Sequence, residues 1–136
     1  MQTLSASEVR SKFSEFVDTV VRKHPVAFSR RRDNIVALSQ EQLDALLTDY
    51  EFNVQFFNEE NGSITASLEE IDLVANASTR EEVVYELAEQ LKEYAEDYLQ
   101  DFQLLYNSPN RRKHYPYILR VAVQENTEAI RRLINA

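Results

Sequence analysis

The chain has 136 residues, 43% of them hydrophobic, with 15 Lys and Arg against 23 Asp and Glu for a formal net charge of -8, and neither Cys nor Trp. That length allows one compact domain or two small ones, and the hydrophobic share argues against global disorder. Without Cys there are no disulfides, no Cys-ligated zinc and no thiol catalysis; no apolar run is long enough to span a bilayer, and the opening MQTLSASEVR lacks a signal-peptide layout, so a cytoplasmic protein is expected.

In chain order, Ser5 with Glu8 three residues on makes a capping box after a short strand. Val9, Phe13, Phe16, Val17, Val20 and Val21 then recur at helical spacing, which predicts a helix over 6–23. Pro25 ends it. Val26 and Phe28, then Ile35 to Leu38, flank the polar Arg30–Asn34 stretch and predict a hairpin. Ser39 with Gln42 repeats the capping spacing ahead of Leu43, Leu46 and Leu47, giving a short helix that ends near Tyr50.

From residue 51 the period changes. Phe52, Val54, Phe56 and then Ile64, Ala66, Leu68 alternate with polar positions around Asn61-Gly62, a hairpin signal that uses the single glycine where a positive φ is needed. A further strand is expected at Ile71–Ala75. Thr79 and Glu82 form a third capping box, and Val84, Leu87, Leu91, Tyr94, Tyr98, Phe102 and Leu105 mark one stripe of a long helix. Asn107-Ser108-Pro109-Asn110 breaks it. A basic tail follows in two helical pieces, divided at Pro116 and ending with Ile130 to Ile134. The expected fold class is α+β: a strand, helix, hairpin, helix module over 1–50, and a second α+β segment over 51–136 dominated by one long acidic helix.

Charge is distributed in blocks. Residues 1–35 hold seven basic and four acidic side chains, residues 36–107 two and seventeen, and residues 108–136 six and two. A basic head joined to an acidic middle suits two partners, one polyanionic and one basic; the alternative is that the acidic helix merely solubilises the chain and pairs with Arg111, Arg112, Lys113, Arg120, Arg131 and Arg132 of the tail. Catalysis has little support. His24 and His114 are far apart, fit no metal-ligand or triad pattern and read as surface residues, and one Gly cannot build a phosphate loop, so neither cofactor nor metal nor small-molecule substrate is implied. Arg30, Arg31 and Arg32 make a dense positive point at the hairpin tip; Arg10 and the hydroxyls of Ser5 and Ser7 at the first helix add groups that can face phosphate.

The segments TLSASEVRSKFSEFVDTVV, HPVAFSR and NIVALSQEQLDALL, in that order and spacing, resemble the N-terminal domain of the Phd/YefM antitoxins over about residues 1–50. The resemblance implies a homodimer through this domain, with helix-one and strand-end arginines, here Arg10 and Arg30, on operator DNA. Arg31 and Arg32 stand where the family usually has a polar residue and Gly, so their share in DNA contact is inferred from charge. The stretch NEENGSITASLEEIDLVANASTREEVVYELAEQLKEYAEDY is similar to HicB-type antitoxin domains, and a longer Phd-like group paired with RelE-type toxins also fits the layout.

The expected function is therefore an antitoxin that neutralises a basic RelE-like ribonuclease toxin and represses its own operon. Partner-facing candidates are Glu89, Glu93, Glu96 and Asp97 on the acidic helix and Tyr106, Tyr115 and Tyr117 as aromatic anchors. The competing readings are a stand-alone dimeric transcriptional regulator with no toxin, and a protein adaptor whose arginines never touch DNA. A small basic reading frame next door would separate the first from the antitoxin; salt-sensitive retention on DNA would exclude the second.

Overall fold

The computed structural model describes residues 1–135 and divides into two compact units, Met1–Leu46 and Leu47–Ala136. In the first, β1 (Thr3–Ser5) runs parallel to β2 (Val26–Arg30), which pairs antiparallel with β3 (Asp33–Ala37). Between β1 and β2 lie α1 (Ala6–Ser11) and α2 (Phe13–Arg22), and α3 (Gln40–Leu47) follows β3. The Ser5–Glu8 capping box is present on both sides, and Ser39 and Gln42 cap α3 in the same reciprocal way. The single helix expected over 6–23 is two helices. Lys12 leaves helical geometry (φ -124, ψ 43), and the Ser11 hydroxyl donates to the Glu8 carbonyl at 3.1 Å, a local bond that competes with continued helix. The hairpin is also tighter than expected, because Ser29 pairs with Asn34 and Arg30 with Asp33 despite their polarity, leaving only Arg31 and Arg32 in the loop.

The second unit is a four-stranded sheet in the order β6-β5-β4-β7, one face of which is covered by a helix. β4 (Phe52–Asn58), β5 (Ile64–Leu68) and β6 (Leu73–Ala77) form an antiparallel meander. Gly62 (φ 87) closes the β4–β5 loop, where its amide donates to the Glu59 carbonyl. The third strand sits two residues later than expected: Leu68 pairs with Leu73, so Ile71 is buried in the loop before it.

α4 (Arg80–Gln100) packs on β5 and β6; of the capping box expected at its start only one half forms, Thr79 accepting from the Glu82 amide. Of the predicted stripe, Val84, Leu87, Leu91 and Tyr98 are at most 6% exposed and Tyr94 is half-buried at its edge; Ala95, outside the predicted set, is buried beside them. The helix then breaks at Asp101, and Phe102 and Leu105 continue from α5 (Phe102–Tyr106). The tail forms three helices rather than two, α6 (Pro109–Arg112), α7 (Tyr115–Ala122) and α8 (Thr127–Arg132), with Pro109 and Pro116 each in a first turn, where a missing N–H costs nothing. Ile134 is not helical. Ile134 and Asn135 form β7, parallel to β4 beside Phe52, a strand too short to carry a period and formed because the β4 edge offers free backbone groups.

Truncating Phe52, fully buried among Tyr117, Ile134 and the α4 stripe, is expected to cost about 3–5 kcal/mol in urea unfolding.

Candidate functional site: a basic turn and an acidic helix

In the first unit, the parallel register sets Ser5 beside Ser29, so the start of α1 and the β2–β3 turn lie at one end of the sheet. Arg31 has φ 57, a left-handed conformation that costs a non-Gly residue about 1–2 kcal/mol. Glycine would sit freely at this position, so the turn carries a second arginine charge at a backbone cost. Arg30 reaches Asp33 at 3.3 Å, with both side chains mostly exposed, a pair weak enough to exchange for a stronger anion. Arg10 is exposed in the last turn of α1. Ser7 is exposed as well, whereas the Ser5 hydroxyl is held in the capping box and the Glu8 carboxylate occupies the helix start, where a phosphate would otherwise sit.

This unit buries only Val9, Val20 and Val26, while Phe13 (61% exposed), Val17 and Val21 form an uncovered stripe along α2 at four-residue spacing and Ile35 and Val36 are exposed on β3. A core of three valines is small for a unit of this length.

In the second unit, seven carboxylates of α4 stand against Arg80 and Lys92 alone. Among the described residues none of them lies in an ion pair within 4.0 Å. The basic tail, the alternative partner for this helix, makes no ion pair with it within 4.0 Å among the described residues; the tail arginines make closer contacts elsewhere, with Glu81 acting on Arg131 at longer range. Arg111 donates to the Tyr94 hydroxyl at 2.8 Å, Arg112 lies 4.4 Å over the Tyr106 ring, Arg120 bonds the carbonyls of Thr48 and Tyr50, and Arg131 and Arg132 reach Glu128. Glu89, Glu93, Glu96 and Asp97 are exposed on α4. The three tyrosines are instead half-buried within the fold: Tyr106 and Tyr115 pack with each other and with Phe102, and Tyr117 stacks edge-on between Tyr50 and Phe52. The exposed large apolar side chains of α4 are Tyr85 and Leu99, which lie off the buried stripe and so carry no periodic signal in the sequence.

His114 is not a surface residue but is 4% exposed, its Nδ1 2.8 Å from the Tyr94 hydroxyl. Arg111 donates to that same oxygen at 2.8 Å, so the hydroxyl joins the guanidinium and the imidazole. Tyr98 completes the cluster by donating to the Arg111 carbonyl at 2.8 Å. Burial, then the Arg111 and Lys113 charges, hold the His114 pKa below its ordinary value, with Asp72 opposing.

The family model for PHD-like antitoxins of RelE/RelB toxin–antitoxin systems matches residues 1–136. The chain belongs to this family, and the likeness seen in its first fifty residues extends over its full length. A crystal structure from Syntrophomonas wolfei subsp. wolfei, described as an antitoxin part of a proposed toxin/antitoxin system, superposes with a TM-score of 0.91 at 42% identity, covering 100% of this chain and 98% of that one. No curated protein matches. Among the described residues no helix is long and apolar enough to cross a membrane.

A His with a depressed folded pKa binds its proton more readily in the unfolded chain, so stability is complete above the ordinary pKa near 6.5 and falls as pH drops below it. Thermal melts between pH 7.5 and 5.5 are expected to show that fall, and His114→Gln to flatten it.

Proposed function

We propose that this antitoxin neutralises a basic RelE-like ribonuclease toxin by direct contact through residues 51–136, and that a dimer of its N-terminal unit binds the operator of its own operon. The observation that carries the reading is the division of charge between the units: an arginine turn at one end of the first sheet, and an acidic helix face without partner cations in the second. Neutralisation requires occlusion rather than catalysis. A carboxylate-rich helix attracts a basic RNA-binding protein over several ångströms and competes for the surface that RNA would occupy.

The uncovered α2 stripe supports dimerisation. Phe13, Val17 and Val21 gain burial only against another molecule, and a second copy brings the same apolar stripe. Two copies also double the arginine turns, which suits a two-fold operator. Arg10 and Arg30 are the contacts carried by the family resemblance; Arg31 and Arg32 add charge at the turn, and Ser7 offers a free hydroxyl. Cytoplasmic residence follows from operator and ribosome-directed toxin together.

Arg10→Ala and Arg30→Ala should each abolish the operator mobility shift while leaving toxin titrations unchanged; loss of both activities together would indicate misfolding. In the wild type, log K should fall linearly with log salt, with a slope of about -0.9 per phosphate contacted. Arg31→Gly separates the two uses of the turn, since relief of the left-handed arginine should stabilise the unit by about 0.5–1 kcal/mol while operator affinity drops.

A further inference from the structure

Tyr85 and Leu99 are 48% and 42% exposed on α4. Fourteen residues apart, they lie within about 40° of one another around the helix and about 21 Å apart along it. Glu89, Lys92 and Glu96 fall between them on the same side. Glu89 hydrogen-bonds the Tyr85 hydroxyl, and its charge and that bond raise the tyrosine pKa.

At the Leu99 end, an apolar recess of about 170 Å³ opens between α4, α7 and α8, lined by Ala95, Leu99, Val121, Ala122 and Ile130. That volume is below the roughly 300–1,000 Å³ of small-molecule pockets and suits one apolar anchor side chain of a protein partner. Its rim carries Glu96 and Glu125 against Lys92. At the Tyr85 end the neighbours are Glu81, Glu82, Glu86 and Glu128, with Arg131 tied to Glu128.

We propose that this seam of α4, from Tyr85 to Leu99, is the docking surface for a basic protein. An apolar side chain of that partner enters the recess beside Leu99, a second packs on Tyr85, and Lys or Arg side chains between them meet Glu89 and Glu96. The occupant is a basic protein because the seam is predominantly negative and its carboxylates have no partner cation within 4.0 Å among the described residues. The proposal rests on the toxin-binding reading above.

The test titrates the full-length chain with the purified toxin of the same operon by calorimetry. Leu99→Ser and Tyr85→Ser are each expected to raise Kd at least tenfold, and Phe57→Ser, an exposed position on the β-sheet of the same unit, to change it less than twofold. Hydroxyl-radical footprinting of the wild-type complex, which depends on no variant folding, is expected to protect both Tyr85 and Leu99. Wild-type affinity in both seam variants, or undiminished labelling of both residues in the complex, overturns the seam and leaves toxin binding standing. Absence of any binding by the wild-type chain overturns the toxin-binding reading and the seam together.

Discussion

Burial of the α4 stripe against the β4–β6 meander is the constraint from which the second unit follows. Leu87 and Leu91 are wholly removed from solvent, and each such side chain contributes about 1.5–3 kcal/mol. Seven charged carboxylates on the same helix cannot enter that interior without partners, so fixing the stripe inward fixes the acidic face outward. The core and the acidic surface are thus two consequences of a single helical orientation. α7 and α8 close the remaining sides with Ile118, Val121 and Ile130, and Ile134 completes the sheet edge.

The tail is fastened by polar chemistry rather than by charge pairing with the acidic helix. Tyr94 and Tyr98 lie on the edge of the α4 stripe, and their hydroxyls take the Arg111 guanidinium, the Arg111 carbonyl and the His114 ring. Among the described residues no buried side-chain nitrogen or oxygen lacks a hydrogen-bond partner, which lowers the penalty of placing a histidine at the helix junction. Arginines committed in this way are withdrawn from the α4 carboxylates. Among the described residues the α4 carboxylates therefore make no ion pair within 4.0 Å.

The first unit is organised on the opposite principle. It buries little, exposes an apolar stripe on α2 and holds Arg31 in a left-handed backbone. A self-sufficient small domain would cover the stripe and place glycine in the turn. Both departures from local preference, the uncovered stripe and the left-handed arginine, fall in this unit.

Much of this was legible in the residues, because periodicity and capping are local properties. The three caps, the hairpins, the α4 stripe and the single glycine at positive φ were all readable from spacing, and the ordered motifs of the first fifty residues carried the family resemblance. What failed was whatever depended on distant partners. The later start of β6 is set by its pairing with β5, Leu68 against Leu73, and β7 exists only because β4 presents an edge. His114 reads as a surface residue in the sequence, whereas Tyr94, twenty residues earlier, encloses it in the fold. The sequence alone determined which faces are apolar and which charged, since that is set by residue order along each element. Only the tertiary structure decided which of those faces are covered, because burial and ion pairing depend on what the chain brings alongside them.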